Sequence, residues 1–126
     1  MKQIDLDSAN ISLDKDRVLL INFKDDADVG IEEAEEIMNS SSIMVGEKQF
    51  YVLINAKDIF VSVDHKSRKY MAEHGIHKYN IAQAMVVNNM PVRIIANFYL
   101  NFYKHTYPMK VFTDIVKARK WLLLQC

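Results

Sequence analysis

Disulfides, glycine-rich loops and long hydrophobic runs are all missing from this sequence. One cysteine in 126 residues, Cys126, allows no intrachain disulfide, which fits a reducing compartment. Three glycines leave little material for a phosphate cradle, and neither G-x-x-x-x-G-K-[ST] nor G-x-G-x-x-G occurs. A G-x-S-x-G elbow, an H-E-x-x-H pair and a cysteine pair are equally absent. No residue set therefore argues for an enzyme, a cofactor or a metal. No apolar stretch approaches the roughly 18 residues of a spanning helix. The start, "MKQIDLDSAN", lacks the apolar core of a signal peptide, so the expected address is cytoplasmic. The net charge is zero, which argues against general nucleic-acid binding, where a basic footprint supplies most of the affinity.

What is present suits one domain over residues 1–126. Half the residues are hydrophobic and 25% are charged, enough for a core that needs neither disulfide nor metal. The charges are unevenly placed. Residues 1–63 carry 6 Lys+Arg against 13 Asp+Glu, and residues 64–126 carry 10 against 3. Halves that interleave in the fold would neutralise one another, whereas halves that stay apart would leave an acidic and a basic patch.

Hydrophobic periodicity gives the elements. "QIDLDSANISL" alternates in two pieces, "DKD" suits a turn, and "RVLLINF" is rich in strand formers. The stretch "DADVGIEEAEEIMNS" reads as a helix capped by Asp28, with Glu32 and Glu33 in the first turn and a stripe of Ile31, Ala34, Ile37 and Met38. "NSSSIMVGEKQ" reads as the loop after it. "FYVLINA" is a strand buried on both faces. "VDHKSRKYMAEHG" is a second helix between a cap at Asp64 and a stop at Gly75. "IAQAMVVNN" is a further strand, and Pro91 suits the first turn of a third helix. "MKVF" and then a helix capped by Thr113 close the chain. The order ββαβαβαβα implies an α/β fold with a mixed, largely parallel five-stranded sheet and about four helices.

That order, with the closing stretch "YPMKVFTDIVKARKWL", resembles small bacterial proteins of the SpoIIAA-like type. These share the STAS-like fold of anti-sigma-factor antagonists, grouped with Sec14-like lipid-binding folds. The resemblance runs from about residue 9 onward, with Ala118 and the Trp121–Leu122 pair its most characteristic part. It implies helices mostly on one face of a mixed sheet and a partner surface at the start of the second helix. The family's phosphorylatable Asp-Ser-Ser-Gly motif is absent from the matching "AKDIFVSVDHKSRKY", where Ser62 and Ser67 flank the position. The phosphorylation switch is therefore not carried over.

Two constellations remain as candidate sites. Asp64, His65, Lys66, Ser67, Arg68 and Lys69 place cations in the first turns of a helix. They form either a solvated face or a site for an anion or an acidic partner. His74 and His77 have H-x-x-H spacing, but Gly75 separates them, so no metal site is expected. In the third helix, Arg93, Asn97, Asn101 and Lys104 form a narrow polar rail, and the rest of the circumference is apolar. Such an arc exceeds the stripe that one sheet face covers. Neighbouring helices, a second copy or a bound amphiphile could cover the remainder, with Phe98, Tyr99, Phe102 and Tyr103 on that surface; Tyr99, Tyr103 and Tyr107 suit wet-edged sites. The expected function is a non-enzymatic regulatory or adaptor-type protein-binding domain that forms a homodimer. The alternative is a binding protein for a small lipid-like or phosphorylated amphiphile.

Overall fold

The computed structural model describes residues 2–74, 78–102 and 107–125. Its frame is a six-stranded sheet. β1 (Lys2–Asp5), β2 (Ala9–Leu13) and β3 (Val18–Phe23) form an antiparallel meander. β5 (Phe50–Asn55), β7 (Asn80–Val86) and β8 (Met109–Phe112) then add in parallel beyond β3. β4 (Ala27–Val29) and β6 (Val61–Val63) pair in parallel as a separate ribbon. The helices are α1 (Ile31–Val45), α2 (His65–His74), α3 (Met90–Phe102) and α4 (Ile115–Leu123).

The expected α/β class, largely parallel pairing and four helices are present, but among the described residues the strands number eight rather than five. Two physical reasons account for the difference. The first alternating stretch folds back on itself at Leu6, whose N–H donates to Ala9 O at 2.9 Å, and so makes a hairpin rather than one strand. β4 and β6 are three residues each, too short to carry a period.

The strands alternate between two unlike layers. Leu19 and Ile21 of β3 pack toward α1, while Val18 and Leu20 join the α4 side. On that side Ala82, Ala84 and Ala118 are all fully buried, so α4 sits close to the sheet and Leu122 closes a dry core. Three crossovers run on the opposite face, so strand order follows chain order from β3 to β8. The acidic half of the chain thus supplies β1, β2, β3 and β5 toward one edge of the sheet, and the basic half supplies β7 and β8 at the other. Arg119 of α4 reaches back across, meeting Asp14 and Asp16 at 2.8 Å each.

Three helix-boundary expectations are corrected. α1 starts after Gly30, whose N–H donates to Glu33 Oε1 at 2.9 Å, and Asp28 belongs to β4 instead. Of the stretch read as a loop, residues 39–49, the first part, residues 39–45, is helical, and residues 46–49 form the turn after it. Ser41, Met44 and Val45 continue the buried spacing of Ala34 and Ile37, and tertiary packing overrides the weak propensity of the serine run. α4 is capped by Asp114, which accepts from Val116 N–H at 2.9 Å, and not by Thr113. Asp64 does cap α2, accepting from Ser67 N–H at 2.8 Å, and Pro91 lies in the first turn of α3. Gly75 and His77 lie outside the described residues.

One guanidinium anchors the far end of α1. Arg17 Nη2 donates to Val45 O at 2.6 Å and to Lys48 O at 3.2 Å, and Nε donates to Gln49 O at 3.0 Å. The bond to Val45 O satisfies a carbonyl that the helix C-terminus leaves open, and the other two fix the connection that follows. Arg17 itself sits at φ 65°, a region that side chains other than glycine enter at a cost. Arg17→Ala is expected to destabilise the protein by about 2–3 kcal/mol in urea titration. Arg17→Gly loses the same bonds but not the backbone cost, and should be about 1 kcal/mol more stable than the alanine variant.

Candidate functional site

The register of β7 against β5 slips once. Phe50 pairs with Asn80, yet Val52 pairs with Gln83, so three residues of β7 oppose two-residue spacing on β5. Such an extra residue is rare in parallel pairs and re-aims the side chains beside it. Phe50 and Val52 both face α1, so their partners Asn80 and Gln83 also face that layer. Without the slip, Asn80 would share the face of Ala82 and Ala84. The chain thereby turns two amides toward the side carrying α1, α2 and α3.

Those helices do not close on the sheet. They leave a cavity of about 120 Å³, within about 930 Å³ of atom-free space that includes its open mouth. Along β7 and the residue that follows it the lining runs from Asn80 to Val87, roughly 20 Å at the rise of a strand. The walls are mostly apolar: Ile54 and Met85 from the sheet, Met38 from α1, Met71 from α2, and Val92, Ile95 and Ala96 from α3. A few polar groups interrupt them, namely Ser41, Arg68, Asn80, Gln83, Tyr99 and Tyr107. Apolar walls with few placed polar groups are the usual composition of small-molecule sites.

Three of these groups have buried atoms without a hydrogen-bond partner among the described residues: Ser41 Oγ, Arg68 Nε and Asn80 Oδ1. Ser41 is 0% exposed. Buried polar atoms are nearly always bonded, so three around one cavity is an excess. Asn80 meets the Tyr107 hydroxyl through its side-chain amide, while its Oδ1 has no partner among the described residues. Burial pushes the Tyr107 hydroxyl up to about 12, and the Asn80 hydrogen bond offsets only part of that. Tyr107 is therefore a neutral group at ordinary pH.

The predicted α2 residues separate into two sets. His65, Lys66 and Lys69 are exposed along the outer side of the helix. Asp64 is taken up by capping; the adjacent Ser67 hydroxyl, outside hydrogen-bond geometry, and the Ser67 N–H hold its carboxyl below the usual range. Ser67 is 0% exposed and so offers no surface contact. Arg68 turns inward and lines the cavity; its Nη1 donates to Val63 O at 2.7 Å, and its guanidinium lies 5.3 Å from the Phe98 ring centre.

On α3, Val92 and Ala96 are buried, Ile95, Tyr99 and Leu100 are half-buried, and Arg93, Asn97 and Asn101 face solvent as the polar rail required. The apolar arc is only partly covered. Met90, Ile94 and Phe98, spaced four apart, are 67%, 62% and 40% exposed. Lys104, Tyr103 and the side chain of Phe102 lie outside the described residues. Ser41, Asn80 and Gln83 were not among the expected site residues. A glutamine inside the otherwise apolar "IAQAMVV" was the available signal, since strands buried on both faces read as near-continuous apolar runs. Among the described residues, no group of three metal-ligating side chains occurs, and no helix is long and apolar enough to cross a membrane.

Residues 11–124 match the family described as domain of unknown function DUF7793, and the chain belongs to that family. No curated protein and no solved structure matches it.

The Tyr107 environment sets an alkaline limit on stability. The unfolded chain releases its phenolic proton near pH 10.0, whereas the folded protein retains it to about 12. Stability fully present below pH 10 is therefore lost as pH rises toward 12, by up to roughly 2–3 kcal/mol. Urea titrations between pH 9 and 12 should show this component in the wild type. Tyr107→Phe should lack it.

Proposed function

We propose that this chain is a non-enzymatic small-ligand-binding domain whose site is the cavity between the sheet and helices α1, α2 and α3. The supporting observation is an apolar space edged by three buried polar atoms without partners. Leaving such atoms unpaired costs about 1–3 kcal/mol each, a cost that a ligand with matching polar groups removes. The reading favours an amphiphile, since one molecule must fill apolar walls and also satisfy those atoms. Sheet order following chain order, with three crossovers on one face, supports taking the fold as STAS-like.

A second reading has its own observation. The Met90–Ile94–Phe98 stripe is a row of apolar side chains on the outside of α3. It supports an adaptor role through association along that helix, as a homodimer or with a protein partner, and requires a mass that rises with concentration. The two readings are compatible, because Phe98 stands beside Arg68 at the cavity and also belongs to the stripe.

Native mass spectrometry of the gently purified protein should detect a small molecule released on denaturation. Ala96, buried on α3 against the cavity, provides the matched variant. Ala96→Met fills open space, so its melting temperature should equal or exceed that of the wild type and the released molecule should disappear. In a filled core the same substitution would cost about 1–3 kcal/mol. A destabilised Ala96→Met variant, with nothing bound to the wild type, would contradict the proposal.

A further inference from the structure

We infer that the cavity's ligand is a carboxylate-headed amphiphile and that Arg68 is the residue that binds its head. The inference rests on the cavity reading above and adds the ligand's charge and the residue that selects it.

A guanidinium carries five N–H donors in a planar fork. Nη1 is committed to Val63 O at 2.7 Å. Nε is buried with no partner. Nη2 makes no hydrogen bond among the described residues. The unused donors thus lie along one edge, Nε with Nη2, which presents two parallel N–H groups. Two parallel donors match the two oxygens of a carboxylate in a bidentate pair. The Phe98 ring, 5.3 Å from the guanidinium carbon, helps hold the plane of that edge.

Charge leads to the same chemistry. Among the described residues, the ion pairs are Lys24–Asp5 and those of Arg119 with Asp14 and Asp16, so no carboxylate lies within ion-pair distance of Arg68. Asp64, the nearest acid in sequence, directs its Oδ1 to the Ser67 N–H at the helix start. A half-buried cation with no ion-pair partner has lost hydration that the Val63 carbonyl, the Phe98 ring and the distant Asp64 charge replace only in part, since Nε has no partner among the described residues. Lys66 and Lys69 project into solvent and do not share this condition. Beyond Arg68 the walls supplied by Val61, Val63, Met71 and Val92 are apolar, so the head must be attached to an apolar body.

The test uses the full chain stripped of bound lipid and three probes of one chain length: decanoate, decanol and decyl phosphate, measured by titration calorimetry. Decanoate should bind the wild type at least about tenfold more tightly than decanol, the usual gain from a charge-assisted pair. Arg68→Gln should erase that preference while leaving decanol affinity unchanged. Arg68→Lys, which keeps the charge but not the fork, should retain only part of it, and it serves should the glutamine variant fail to fold. Equal decanoate and decanol affinity in the wild type, or a preference that survives Arg68→Gln, overturns this inference and leaves the cavity reading standing. Tighter binding of decyl phosphate than of decanoate overturns the carboxylate assignment. Absence of binding by all three probes overturns the cavity reading and this inference together.

Discussion

Side chains on a strand alternate between faces, so a single extra residue reverses the face of everything on one side of it. In this protein that residue lies at the start of β7, between the Phe50–Asn80 and Val52–Gln83 pairs. Its effect is to gather Asn80 and Gln83 on one face while Ala82, Ala84 and Val86 remain on the other. Both amides become available to the cavity, and the opposite face keeps a set of small apolar side chains. Removing the extra residue would place Asn80 on the face of the α4 layer, which is built mainly of apolar side chains.

The two faces then follow different packing rules. Against α4, alanines on strand and helix permit close approach, and Ala82, Ala84, Ala118 and Leu122 are all fully buried. On the opposite face, three helices must cover the same strands over Gln83 and Met85, and they are held apart by connections of their own. α1 is tied to the meander by Arg17, α2 starts from the β4–β6 ribbon through Asp64 N–H to Val29 O, and α3 leans on β8. Each attachment is satisfied locally, and the space between them is not. The cavity is thus a consequence of where the helices are anchored, and its polar rim is a consequence of the β7 register.

Legibility in the sequence followed the strength of local signals. "FYVLINA" and "MKVF" are recognisable because a buried strand leaves a dense apolar run, and Asp64 and Pro91 because helix starts have local chemistry. The polar rail of α3 was equally visible from its spacing, as far as it is described. Other features depend on distant partners. The helical state of residues 39–45 is imposed by Ser41, Met44 and Val45 meeting the core, while the serines themselves favour turns. The slip in β7 is invisible in "NIAQAMVV", since alternation survives on either side of it and only pairing with β5 reveals the extra residue. Arg68 looked like its neighbours Lys66 and Lys69 in a basic run. Only the packing of α2 separates one inward cation from two outward ones.

The space along β7 is either a built site or a packing remnant. Electron density from a high-resolution crystal of the protein as purified addresses this directly. The account predicts continuous elongated density along β7, ending within hydrogen-bond distance of Arg68 Nε. A collapsed space, with α3 packed onto Gln83 and Met85 and Arg68 turned out to solvent, would contradict it.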